Sequence, residues 1–262
     1  MLPSARVGPQ VKDHMTMKLA ILGNSHTAAL LHEARVNTSL TAGFDVTFFA
    51  SIGRTMENFS VQDGQLVPQT DVLRKSLKIT SGGADRFDPA LFDQILLVGL
   101  GFNLPPVDKR LSQAVKAAIL RNCVESSVAW KLSGMVRSIS AAPVLVGHTP
   151  LRAPDVTASL EPILQNCVAY DDIIAQVQML WDRLDVQVVH QPETTRYRDV
   201  LTKRSFSRGS RGLRGTGMEH GDTDRSHMNN DYGAIYWQHL RARLSKPVPL
   251  KSAPGAQFLS VG

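Results

Sequence analysis

The chain has 262 residues, 43% hydrophobic and 20% charged, with a formal net charge of +6, a balance that suits one compact domain with a sizeable core. Two cysteines, Cys123 and Cys167, in no paired spacing argue against a disulfide scaffold and fit a reducing compartment, so a cytoplasmic location is expected. No apolar run reaches the roughly 18 residues of a membrane span, and the first eighteen residues lack an apolar stretch of signal-peptide length.

Residues 1–15 and the proline-rich end 246–262 read as flexible segments around a single domain over 16–245. The first strand is expected at Lys18–Leu22, where Leu19, Ala20, Ile21 and Leu22 form a short apolar run. A helical pattern, His26–Val36, follows at once. Further strands are expected at Asp45–Ala50, Gln94–Val98, Val144–Gly147 and Val186–His190. Between the second and third, Asp63-Gly64 marks a hairpin turn. Val107–Ser140 reads as two helices broken near Trp130–Gly134, and Tyr170–Leu184 as another. A last helix, Asp231–Leu244, has Asn229 or Asn230 placed to cap it. Strands alternating with helices predict a parallel sheet of about five strands, covered on both faces. No internal repeat is present.

In such sheets, ligands sit beyond the carboxyl ends of the strands. The residues there include Gly23-Asn24-Ser25-His26, Ser51-Ile52-Gly53, Gly101-Phe102-Asn103 and His148-Thr149. Ser25 has two readings. It is a helix N-cap, the commonest use of serine at a helix start, or it is a nucleophile beside helix-start N–H groups that face an oxyanion. Serine catalysis needs a base, and the base needs a carboxylate to fix its tautomer. Asp224 and His227, three residues apart just before the last helix, supply such a pair; two ordinary loop residues are the alternative. His26 suits a helix-start or packing role.

Taken together these pieces resemble the SGNH hydrolase superfamily of GDSL-type esterases and lipases. Gly23-Asn24-Ser25 matches its first block, Gly53 its second-block glycine, Gly101-Phe102-Asn103 its third block, and Asp224-Arg225-Ser226-His227 its Asp-x-x-His block. The order agrees from residue 18 to about 244. Two positions depart from the pattern: Leu104 follows Asn103 where many members have Asp, and Met228-Asn229-Asn230 follows His227 where many have Pro-Asn.

The resemblance implies a three-layer α/β/α sandwich with Ser25 as nucleophile, His227 as base and Asp224 as its orienting acid. The oxyanion hole it implies comprises the Ser25 and Gly53 backbone N–H groups and the Asn103 side-chain amide. The expected activity is cleavage of a carboxylic ester through an acyl-enzyme, on a small-molecule or glycan substrate, with no cofactor. Two alternatives use the same fold: O-acyl transfer, and noncatalytic binding of a carbohydrate or partner. His148, after the fourth strand, is a candidate to line the pocket.

One feature lies outside this pattern. Lys203, Arg204, Arg208, Arg211 and Arg214 form a run with no acidic residue between Lys203 and Gly215. With 6% aromatics and no binding motif, nucleic acid is not the expected partner. A mobile basic loop over about 200–222 is expected instead, with Arg208, Arg211 and Arg214 as candidates to contact an anionic substrate. Glu219, His220, Asp222, Asp224 and His227 crowd together without any recognised metal-ligand spacing, so no metal is expected.

Overall fold

A computed structural model describes residues 16–155, 164–213 and 219–244. The expected flexible ends, 1–15 and 246–262, and Arg214 lie outside the described residues. Strands β1 (Met17–Gly23) and β2 (Phe44–Ala50) precede a hairpin of β3 (Phe59–Gln62) and β4 (Gln65–Pro68). Then come β5 (Gln94–Val98), β6 (Val144–Gly147) and β7 (Val186–Val189). The main sheet runs β2-β1-β5-β6-β7, and every pairing in it is parallel.

Strand pleating splits the core into two layers. Leu19 and Ile21 of β1, with Leu96 and Val98 of β5, face helix α1 (Ala28–Val36) and the last helix, Asn230–Leu244. Ala20 and Leu22, with Ile95 and Leu97, face α2 (Asp71–Ser81), α3 (Gln113–Glu125), α4 (Val128–Ile139) and the Tyr170–Trp181 helix. This is a three-layer α/β/α sandwich. Burial on both faces explains why the strands read as unbroken apolar runs rather than alternating ones. Removing each of Leu19, Ile21 and Leu22 from water contributes about 1.5–3 kcal/mol.

Local chemistry sets the boundaries. Asp63 (φ 49°) and Gly64 (φ 74°) make the expected two-residue turn, both in the left-handed region that a type I′ hairpin needs. The helical break expected near Trp130–Gly134 falls earlier, at Ser126–Ser127. Ser127 is extended and its Oγ accepts from the Trp130 N–H, so it starts α4 as an N-cap. Gly134 stays inside α4 because buried Leu132 and Val136 on either side outweigh its low propensity. Val107–Ser112 is not helical, since Val107 accepts from Val168 N–H and Ser112 caps α3.

The chain leaves β1 for β2 on one side, then returns to place β5 on the other. The crevice beyond β1 and β5 is therefore a topological switch point, where open α/β sheets bind ligands. Ala50, Gly23, Val98, Gly147 and Val189 are register partners in turn across the five strands, so all five end in one row. Among the described residues, no helix is long and apolar enough to cross a membrane.

Candidate active site

Ser25 begins a single 3-10 turn, Ser25–Thr27, that leads into α1. Its neighbour Asn24 is the N-cap, accepting the His26 N–H at 3.2 Å through Oδ1. Thr27 Oγ1 donates back to the Asn24 carbonyl at 2.7 Å. Capping is thus done by Asn24, and the Ser25 hydroxyl is left for another partner. That partner is His227: Ser25 Oγ lies 3.0 Å from its Nε2.

Asp224 holds the other edge of the ring, with Oδ2 2.7 Å from His227 Nδ1. Its Oδ1 accepts the backbone N–H groups of Ser226 at 2.7 Å and His227 at 3.0 Å. Partial burial pushes the Asp224 carboxyl up, but these N–H groups and the imidazole outweigh it and bring the pKa down to about 2. An ionised carboxylate can only accept, so Nδ1 carries the proton. Nε2 is then the acceptor for the Ser25 hydroxyl, an arrangement able to draw a proton off serine.

Gly53 and Asn103 lie just past β2 and β5, which flank β1 in the sheet. Gly53 has φ 59° and an open surface. Asn103 is exposed, and among the described residues no hydrogen bond occupies its side-chain amide. Gly99, which follows β5 directly, matters in a way the sequence reading did not single out. At φ 73° it passes so close to Asn24 that a Cβ there would lie 2.7 Å from Asn24 Oδ1.

His148 does not line this site. It is buried, with Nδ1 donating to Thr149 O at 2.6 Å and Nε2 accepting from Tyr170 Oη at 2.7 Å. Tyr170 Oη in turn accepts from Gln191 N–H at 2.7 Å. Burial pushes the His148 pKa down to about 4. Both ring nitrogens are used, so this histidine ties β6 to the Tyr170–Trp181 helix and has none left for a substrate.

The basic segment is also not the free loop expected, in its described part. Thr202, Ser207, Ser210 and Leu213 are buried. Arg204 donates to the carbonyls of Asp224 (2.8 Å) and Asp222 and to Ser207 Oγ (3.0 Å). It therefore fixes the backbone on which Asp224 sits. Lys203 donates to Thr194 O at 2.8 Å, and Arg211 pairs with Glu219 at 3.2 Å. Of the expected anion contacts, Arg208 is exposed and has no side-chain partner among the described residues. Asn229 joins this segment to the last helix: its Oδ1 caps Tyr232 N–H, and its Nδ2 donates to Ser205 and Arg208 carbonyls.

In the sequence His220 is only one of the crowded residues 219–227, and its ring contact with His227 belongs to the folded loop. Its ring stacks on His227 at 4.3 Å and 26°, while His26 stacks on the opposite face at 5.1 Å and 21°. His220, Asp224 and His227 place potential ligand atoms within 4.8 Å of one another. His220 Nδ1 lies 3.0 Å from Ser210 Oγ and His227 Nδ1 2.7 Å from Asp224 Oδ2, so both nitrogens already have hydrogen-bond partners within the protein.

No protein-family model matches the sequence, and no curated protein matches it. Solved structures are similar at low identity. A carbohydrate acetylesterase family member from Sinorhizobium meliloti is 13% identical with a TM-score of 0.43, covering 87% of this chain and 97% of that one. A lipopolysaccharide acetyltransferase periplasmic domain from Salmonella ser. Paratyphi A is 8% identical with a TM-score of 0.45, covering 88% and 84%. A salicylyl-acyltransferase from a tetracycline biosynthetic pathway is 14% identical with a TM-score of 0.33, covering 88% and 54%. At that divergence none of them decides the chemistry of this site.

Proposed function

We propose that this chain is a serine hydrolase that cleaves a carboxylic ester through an acyl-enzyme. The observation that carries the reading is the unbroken hydrogen-bonded series from Asp224 through His227 to Ser25, in the crevice where the strand order reverses. Ser25 Oγ bonds to the acyl carbon while His227 Nε2 takes its proton. The carbonyl oxygen becomes an oxyanion, for which the N–H groups of Ser25 and Gly53 and the Asn103 amide are the proposed donors. Collapse breaks the ester C–O bond, and His227 passes its proton to the leaving alcohol. Water then attacks the acyl carbon, His227 takes a proton from it, and the same proton returns to Ser25 Oγ as the acid departs.

Loss of one oxyanion donor is expected to cost about 10²–10³ in rate. The test is turnover of p-nitrophenyl esters of increasing chain length, together with fluorophosphonate labelling located by mass spectrometry. Wild type should hydrolyse at least the short esters and carry the adduct on Ser25, and Ser25→Ala should do neither. Activity that persists in Ser25→Ala, or an adduct on another serine, would remove the proposal.

A further inference from the structure

The hydrogen bonds of His227 lie along its edges, and one of them cannot last through the reaction just described. Once Ser25 is acylated its hydroxyl is gone, and Nε2 loses the partner that fixed it at 3.0 Å. The ring is then held at one edge only, by Asp224 at 2.7 Å. A single hydrogen bond lets an imidazole tilt about it, and tilting moves Nε2 off the line of the attacking water. What restrains the ring at that stage must act on its faces.

Both faces are covered. His26 covers one, fixed in place by the helix start whose cap accepts its backbone N–H. His220 covers the other and lies nearer, at 4.3 Å. His220 is itself tethered: its N–H donates to Ser210 O at 2.8 Å, and its Nδ1 lies 3.0 Å from Ser210 Oγ. Ser210 is fully buried, so the tether is anchored in the packed part of the basic segment. The charged groups around His220 are Asp224, 3.8 Å from Nδ1, and the Arg211–Glu219 pair beside it in the chain. Burial and the neighbouring His227 lower the His220 pKa, and the same two causes bring His26 down to about 4. Both shifts disfavour a second positive charge beside the His227 imidazolium.

We propose that His220 is a positioning residue: the outer ring of a three-imidazole stack that keeps His227 aligned while Ser25 is acylated. The inference rests on the serine-hydrolase reading, and it makes a step-specific demand. Deacylation should depend on His220 more than acylation does, because the Ser25–His227 bond is present for the first step and absent for the second.

Pre-steady-state hydrolysis of a p-nitrophenyl ester separates the two steps. In His220→Ala the steady-state kcat should fall about 10–100-fold, the cost of a misaligned catalytic group. The initial burst should persist at close to one product per enzyme, since acyl-enzyme accumulates. His220→Phe restores a flat ring face without the Ser210 bond and should recover most of the lost rate. A burst and steady-state rate that shrink together would mean only fewer folded molecules and would overturn the proposal. So would an unchanged kcat in His220→Ala, or His220→Phe no better than His220→Ala. If wild type turns over no ester, the functional reading fails, and the positioning claim is still read by proton NMR in Ser25→Ala. There the downfield His227 Nδ1 proton should be sharp and should broaden when His220→Ala is added. An unchanged resonance would refute the stack's role independently of any activity.

Discussion

Replacement of Gly99 by alanine isolates how closely the placement of Ser25 depends on the neighbouring strand. Two costs are expected. Gly99 sits at φ 73°, where an L side chain is unfavourable by about 1–2 kcal/mol. The new Cβ would also lie 2.7 Å from Asn24 Oδ1 and 3.3 Å from His26 Cβ. Asn24 must then move, which costs the cap on His26 N–H, about 1 kcal/mol. The total is about 2–3 kcal/mol. Gly64 supplies a matched control, because its φ is 74° and a Cβ there meets nothing within 4 Å. Gly64→Ala should cost only the backbone part and leave catalysis unchanged.

Ser25 follows Asn24 directly, so a shift of order 1 Å in Asn24 should lower ester turnover about 10²-fold in Gly99→Ala. Urea unfolding midpoints together with kcat measure both effects. In an Asn24→Ala background the 2.7 Å clash is gone and only the 3.3 Å approach to His26 is left, so adding Gly99→Ala should cost little more than Gly64→Ala costs. That non-additivity is the signature of direct contact. Equal destabilisation by Gly99→Ala and Gly64→Ala, with kcat intact, would refute the reasoning by showing that Asn24 gives way without disturbing Ser25.

The remaining expectations concern Asp224 and His148. With its pKa at about 2 against an ordinary 3.8, Asp224 contributes stability that is fully present above about pH 4 and is lost as pH falls through about 2; Asp224→Asn should therefore flatten acid unfolding in that window. The same variant should lower kcat about 10⁴-fold, because an amide permits the wrong imidazole tautomer, and a neutral effect on turnover would show that another carboxylate orients the base. His148→Phe should destabilise the fold by about 1–3 kcal/mol, since Tyr170 Oη and Thr149 O lose a buried partner. Its kcat per folded molecule should stay at the wild-type value, and a selective fall in kcat or rise in KM would return His148 to the substrate site.

What the sequence discloses about this fold is what short-range pattern can encode. The strands announce themselves because parallel strands buried on both faces need contiguous apolar residues, as at Leu19–Leu22 and Ile95–Val98. The Asp63-Gly64 turn is legible because few residue pairs tolerate two successive left-handed conformations. Ser25, Asp224 and His227 are legible as residue types in order along the chain, but their contact across about 200 positions belongs to the topology. Cap assignments are less readable. Asn24 and Ser25 are both strong N-cap residues, and the choice between them follows from Gly99 making room for the Asn24 side chain. The same ambiguity moves the helical break to Ser126–Ser127, where two serines compete with a glycine that tertiary packing absorbs.

The basic segment shows why charge composition misleads at a site of this kind. A run of arginines with glycine and serine reads as solvated chain, because cations prefer water and small residues favour mobility. Guanidinium groups have a second use: their fan of N–H donors can satisfy several backbone carbonyls where a loop has no regular structure to do so. Arg204 does this for Asp222 and Asp224, and Ser210 carries the segment's second link, to His220. With Lys203, Arg204 and Arg211 engaged internally, attraction of an anionic ligand by the described part of the segment falls to Arg208. A single exposed cation is worth little and is screened by salt. The physical weight of the segment lies instead in holding the loop that carries Asp224 and His227.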